Sequence, residues 1–267
     1  MYDDIGTRMK TYYEQIPKIN LMRRMPVAIR IDGKSFHTFT KGFEKPFDST
    51  LMSAMQTTMQ YLCENIQGCV LGYTQSDEIT LILIDYQKLN SSAWFDYEVQ
   101  KLCSISASMA TMAFNKYFRM TAEAKHKRDV EFWKEKEIYV AEAEHMYQVY
   151  SKVFDKAMFD ARCFNIPKEE VANLLYWRQL DATRNSIQAV GQKYFSNKQL
   201  HGKSCNAIQD MLLTQRDVNW NDYTIPEKRG SCCIKDSYSN WFIDKEIPIF
   251  KNEGRNYIER LIYFDEE

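Results

Sequence analysis

The sequence is poor in the residues that build linkers, frameworks and phosphate loops. Its 267 residues include 9 glycines and 6 prolines. No stretch concentrates them, so no linker separates two domains, and neither repeats nor low-complexity segments occur. The seven cysteines are an odd, scattered set with no CxxC, which argues against a disulfide framework and a zinc site and for reduced thiols in a cytoplasmic protein. Only four histidines occur, too dispersed for a zinc cluster. No apolar run approaches the roughly 18 residues that span a bilayer, so no membrane partner is expected. The start, Met1-Tyr-Asp-Asp-Ile5, has no basic segment followed by an apolar one, and no signal peptide is expected. GxxxxGK[ST], GxGxxG, HExxH and GxSxG are all absent, which removes P-loop, dinucleotide, zincin and serine-hydrolase readings. Net charge is −1, so a nucleic-acid partner needs a local basic face.

What is present is apolar and aromatic: 45 % and 14 % of the chain, enough for a sizeable core. Helical spacing marks residues 5–22, with Pro17 as its end. Val27–Ile31 reads as a buried strand ending on Asp32. Asp48 or Ser49 caps a helix to about Glu64 with Leu51, Met55, Met59 and Leu62 as its stripe. Residues 69–73 and 79–84 read as two strands joined by a tight Gln75-Ser-Asp-Glu78 connection. A long helix follows from Trp94 to about Phe118. Its expected apolar face is Phe95, Val99, Leu102, Ile105, Met109 and Met112. The order strand, helix, hairpin, helix predicts an α+β fold, an antiparallel sheet with helices on one face.

Residues 119–152 contain seven basic and seven acidic side chains and neither Gly nor Pro. They read as a helical insertion in a single domain covering 1–267. A solvated excursion, an oligomer contact and an RNA-contacting arm all fit it. Asn165-Ile-Pro167 then starts a helix that carries Leu174 to Asp181 and can continue in a second segment to Tyr194. Ser204 caps another helix to Leu213, residues 222–230 form a turn-rich loop, and Ser231–Lys235 is a late strand.

The chemistry concentrates on two acids. Asp32 and Asp77 sit at the ends of apolar strands that can pair. Like charges held close raise one another's pKa unless a cation intervenes, and hard Mg²⁺ takes one or two carboxylates plus substrate phosphates. Gly33 exposes a bare backbone whose carbonyl is a hard ligand, and the amides of Lys34 to His37 can cradle a triphosphate. Two bridging carboxylates predict two metal ions, hence phosphoryl or nucleotidyl transfer. Glu78 supports the site from its edge. Lys45 and Lys101 are candidate phosphate partners. Arg178, Gln179, Asp181 and the turn Lys228-Arg229-Gly230 are weaker candidates for an RNA backbone.

Arg30-Ile-Asp-Gly33 with Phe36-His37, then Phe43-Glu-Lys-Pro-Phe-Asp48, Gln75-Ser-Asp-Glu78, Trp94-Phe95, Trp177-Arg-Gln-Leu-Asp181, Leu200-His-Gly-Lys-Ser204 and Lys228-Arg-Gly230 follow one another in an order that resembles the tRNA(His) guanylyltransferase family. The match covers about residues 5–118 and 160–236. The resemblance implies a polymerase-palm-like fold used for 3′-to-5′ nucleotide addition at the 5′ end of tRNA. ATP or GTP first activates the 5′-monophosphate, and the 3′-hydroxyl of an incoming nucleotide then attacks it. Carried over, Asp32, Asp77 and the Gly33 carbonyl are magnesium ligands. Asp32, Asp77, Glu78 and Lys45 are catalytic, and Lys34, Ser35, Phe36, His37, Asp48, Ser76 and Lys101 line the nucleotide. Members are commonly tetramers. The eukaryotic branch carries His-Ile-Asn-Asn-Leu-Tyr-Asn where this chain has Thr183-Arg-Asn-Ser-Ile-Gln-Ala189, with Asn185 the one match. That favours templated 5′-end repair over untemplated guanylate addition. Residues 119–152 also exceed the family's segment. A nucleotidyl cyclase or conventional palm polymerase shares the strand–acid layout, and an inactive RNA-binding or assembly protein is a third alternative.

Overall fold

A computed structural model describes residues 4–264. In chain order the elements are α1 (Asp4–Met9), β1 (Val27–Gly33), α2 (Phe36–Phe39), α3 (Ser49–Asn65), β2 (Cys69–Gln75), β3 (Glu78–Leu83), α4 (Val99–Phe132), α5 (Glu137–Ser151), β4 (Phe159–Asn165), α6 (Lys168–Tyr194), α7 (Asn197–Leu200), α8 (Cys205–Arg216), α9 (Ile225–Arg229), β5 (Ser231–Lys235), β6 (Trp241–Asp244) and α10 (Asn256–Glu259). The six strands form one antiparallel sheet in the order β4-β1-β3-β2-β5-β6.

The expected α+β class holds, and the structure adds a helical layer on the second face. The period-2 alternation of β1 explains both layers. Val27, Ile29 and Ile31 face a core built with α3 and α4. Ala28 faces a second core with Leu71, Tyr73, Ile82 and Ile84, closed by Val171, Ala172 and Leu175 of α6 and by Ile258 near the end of the described chain. Strands apolar on both faces need cover on both. A third cluster joins the end of α6 to α8 and Trp220.

The α3 helix is capped as its sequence predicts, with the Asp48 carboxylate accepting from the Leu51 amide at 2.8 Å. Its close seat on β2 explains Gly72, where an added Cβ would come within 2.6 Å of Cys63 Sγ and 2.8 Å of Met59. The long helix differs from expectation in its buried face. Leu102, Ser106, Ala110, Ala113 and Phe114 are buried, whereas Ile105 and Met112 are exposed. The small residues Ser106, Ala110 and Ala113 point inward while Ser104 and Ser108 are exposed, so a stripe assigned by side-chain size alone is rotated. The first helix is also shorter than 5–22. Regular α-helix stops at Met9, a π-helical turn covers Lys10–Glu14, and Ile5, Tyr12, Tyr13 and Ile16 are exposed. No described helix is long and apolar enough to cross a membrane.

Candidate active site

A cleft of about 540 Å³ opens where β1 ends beside the β2–β3 turn. The turn itself, the β1–α2 connection, the 43–48 loop, α6 and α9 all contribute to its walls. Antiparallel register places Asp32 opposite Glu78, and the Asp77 carbonyl accepts from the Gly33 amide at 3.0 Å. The ladder itself thus joins residues 44 and 46 positions apart. The alternation that sends Ile31 into the α4 core sends Asp32 to the α6 side, while Gly33 and Asp77 line the cleft.

Burial is what chiefly disfavours charge on Asp77. Burial, together with the Asp32 charge, holds the Asp77 carboxyl above the usual range, though a bond from Ser76 opposes the shift. Burial likewise raises Glu78, with Asp32 adding to it and Arg178 and Arg30 opposing. Among the described residues no group of three or more His, Cys, Asp or Glu is placed to hold a metal ion. The donor set here is smaller: two half-buried carboxylates and the Gly33 carbonyl. Hard oxygens of that kind fit Mg²⁺, which fills its remaining positions with water and phosphate.

Gly33 has a steric reason to lack a side chain. A Cβ there would lie 2.3 Å from Cδ2 and 2.5 Å from Cε2 of the Phe36 ring. That ring is locked among Phe39 (4.8 Å), Phe159 (5.2 Å) and Phe114 (5.5 Å). Phe36 therefore belongs to the core, and only its backbone is left for a ligand. The Lys34 amide is already spent on the Met158 carbonyl at 2.8 Å. This narrows the expected cradle: among the described residues the amides of Ser35, Phe36 and His37 find no partner. Ser35 and Ser76 both adopt left-handed backbone, with φ of 56°, at the two turns facing the cleft. Such strain clusters at functional sites.

The other candidates separate into two groups. His37, Lys45, Asp48, Ser76 and Asn185 all line the cleft. Asp48 does so with its carboxylate engaged by the amides of Leu51 and Glu44 and by the Tyr150 hydroxyl. Lys101 is not brought to the cleft. It lies over the Phe95 ring at 5.7 Å and pairs with Glu98 at 3.6 Å, because it falls on the solvent side of the first turn of α4.

The expected RNA contacts on α6 are occupied internally. Arg178 Nε donates to Glu78 Oε1 at 2.7 Å, and its other arm reaches Asp181 at 3.1 Å. Asp181 also pairs with Arg184. Gln179 is buried, donating to the Pro248 carbonyl at 2.8 Å and accepting from the Phe250 amide at 2.9 Å. These residues brace the site and the chain after β6, so their polar groups are not free to meet a phosphate backbone. Lys228 Nζ donates to the Asn221 carbonyl at 2.6 Å, and Arg229 is half-buried with its carbonyl accepting from Tyr73. Sequence reasoning missed Arg30 as a second partner of Glu78, at 3.9 Å. Its place two residues before Asp32, on the same face of β1, was the available signal.

The family model described as Thg1: tRNAHis guanylyltransferase matches residues 6–167. Uncharacterised protein R259 of Acanthamoeba polyphaga mimivirus is 29% identical over 93% of this chain and 84% of its own length. The tRNA(His) guanylyltransferase of Saccharomyces cerevisiae is 25% identical over 77% of this chain and 80% of its own. Among solved structures, a bacterial tRNA(His) guanylyltransferase (Thg1)-like protein in complex with ATP is 41% identical, with a TM-score of 0.83 over 98% of this chain and 100% of that one. A bacterial Thg1-like protein in complex with GTP aligns with a TM-score of 0.74 at 38% identity over the same shares of the two chains. With more than half its length matched, the chain belongs to the tRNA(His) guanylyltransferase family, a family of nucleotidyltransferases.

Proposed function

We propose that the chain adds nucleotides in the 3′-to-5′ direction to the 5′ end of tRNA, in the manner of a templated 5′-end repair enzyme. The observation that carries this reading is the strand pairing that sets Asp32 opposite Glu78 and Gly33 against Asp77 at one sheet end, where Gly33 and Asp77 line a cleft large enough for a nucleotide. The ATP and GTP named with the two bacterial relatives support the same cleft as the nucleotide site. Asp32, Asp77 and the Gly33 carbonyl would hold magnesium, which when bound offsets phosphate charge and acidifies an attacking hydroxyl. The amides of Ser35, Phe36 and His37 hold the triphosphate, and Lys45, which lines the same cleft, meets it. ATP or GTP activates the RNA 5′-phosphate with loss of pyrophosphate. The 3′-hydroxyl of the next nucleotide then attacks that phosphorus and expels the nucleoside monophosphate. Glu78, clamped by Arg178 and Arg30, fixes the β3 end on which Asp77 stands.

In this reading the chain is a single domain in which residues 119–152 are an insertion, and it works in the cytoplasm as a homo-oligomer, a tetramer by family likeness. The exposed apolar residues Ile5, Tyr12, Tyr13 and Ile16 support self-association. The test is incorporation on a 5′-monophosphorylated tRNA lacking its first nucleotide, with each nucleotide triphosphate in turn. Growth at the 5′ end that vanishes in Asp32→Asn and Asp77→Asn is expected. A cyclic nucleotide, growth at the 3′ end, or full turnover in either variant would refute it.

A further inference from the structure

The loop that carries Lys45 past the cleft takes its shape from residues 81 and 102 positions away. Asp48 closes the loop on itself by accepting from the Glu44 amide at 3.1 Å. A further donor to the same carboxylate oxygen is the Tyr150 hydroxyl of α5, at 2.8 Å, with both side chains buried (2 % and 7 % exposed). At the other end of the loop, Lys125 of α4 meets Glu44 Oε1 at 2.5 Å with 18 % of its side chain exposed. The Tyr150 ring also stands edge-on to Phe43 at 5.0 Å. The α4–α5 hairpin thus grips the loop on both sides of Lys45. Lys45 itself is exposed and, among the described residues, makes no hydrogen bond or ion pair.

We infer that Tyr150 and Lys125 are positioning residues for the nucleotide, holding the 44–48 loop so that Lys45 is presented to the phosphates. The inference rests on the nucleotide-site reading above. A lysine is a point charge on a flexible stem, so its use to a ligand depends on where its backbone is fixed. Holding the loop in its bound shape beforehand removes part of the ordering cost of binding. Burial and the Asp48 charge push the Tyr150 hydroxyl far above its usual range, so it remains a donor at working pH. On this account the segment with the most mixed charge in the sequence is wired to the cleft and is more than a solvated excursion.

The test uses the full chain, with the magnesium complexes of ATP and GTP as probes. Dissociation constants are measured by calorimetry, and KM and kcat on the 5′-truncated tRNA. Tyr150→Phe keeps the ring and removes the donor. It is expected to weaken nucleotide binding and raise KM about 10-fold, about 1.4 kcal/mol, with kcat within about twofold. Lys125→Met should raise both about threefold, and Lys125→Arg should restore them. A purely structural role would lower the melting temperature and leave the dissociation constant of the folded protein unchanged, and that result overturns the inference. So does a fall in kcat alone. Should Tyr150→Phe fail to fold, the Lys125 pair decides by the same readings. If the wild-type chain binds neither nucleotide, the site reading and this inference fall together. If it binds them and the variants bind equally well, only the inference falls.

Discussion

Replacing Gly33 by alanine probes the site through one methyl group. The new carbon would stand 2.3, 2.5 and 2.8 Å from three atoms of the Phe36 ring, well inside contact distance. The ring has little room to yield, being 4 % exposed and packed against Phe39, Phe114 and Phe159. Overpacking of this kind costs about 1–3 kcal/mol. For a chain of this size that corresponds to a fall in melting temperature of roughly 2–12 °C. Movement relieves the clash by shifting the β1–α2 connection, and with it the Gly33 carbonyl and the amides of Ser35 to His37. Transferase activity should therefore fall at least about 100-fold at a temperature where the variant is still folded. Thermal melts and incorporation assays at 15 °C read the two effects separately. A double-mutant cycle isolates the cause. In a Phe36→Leu background, which removes the ring edge, Gly33→Ala should cost about 1 kcal/mol less than it does alone. Equal costs in both backgrounds, or an unchanged melt with full activity, would refute the reasoning.

Gln179→Ala strands the Pro248 carbonyl and the Phe250 amide in a buried setting and should destabilise the fold by about 2–4 kcal/mol. Its KM for tRNA should stay unchanged at low temperature; a selective loss of RNA affinity would return Gln179 to the substrate surface. Arg178→Met leaves Glu78 with only the longer Arg30 contact and should cost about 2–4 kcal/mol in urea unfolding; a change below about 0.5 kcal/mol would show that the clamp is dispensable. Burial and the neighbouring Cys103 push the Cys163 thiol up to about 12. Because the folded value lies above the unfolded one, the stability it contributes is complete below about pH 9 and is lost as pH rises toward 12. Cys163→Ser should flatten the alkaline part of the stability profile, and native Cys163 should alkylate more slowly at pH 8 than an ordinary thiol; a fast reaction or parallel profiles would contradict this.

The strands that hold the acids were legible because period and termini agree. Val27–Ile31 and Ile79–Ile84 are mostly apolar runs rich in β-branched residues, and Ser-Asp-Glu is ordinary turn chemistry, so both acids fell at strand ends without tertiary information. β4 was not legible: Phe159-Asp-Ala-Arg-Cys-Phe-Asn165 mixes charge into an edge strand and borders a helix-start signal. β6, four residues long, gives too short a pattern to read. Within the site, Asp32, Gly33 and Asp77 emerged from local logic. The uses of Gln179, Arg178 and Tyr150 did not, because each is defined by a partner 69 to 102 positions away. Helical spacing tells which residues share a face but not what that face meets.

If the two acids act as proposed, the antiparallel pairing of β1 with β3 makes their placement an all-or-none property of each molecule. Side chains alternate along the ladder, so sliding one strand by a single step would carry Asp32 into the greasy layer beneath α4 and drag Ile31 out toward α6. No half-slipped arrangement keeps the acids together. A preparation with reduced specific activity should accordingly be a blend of fully competent and wholly dead molecules, and counting active sites would separate them where an averaged rate could not.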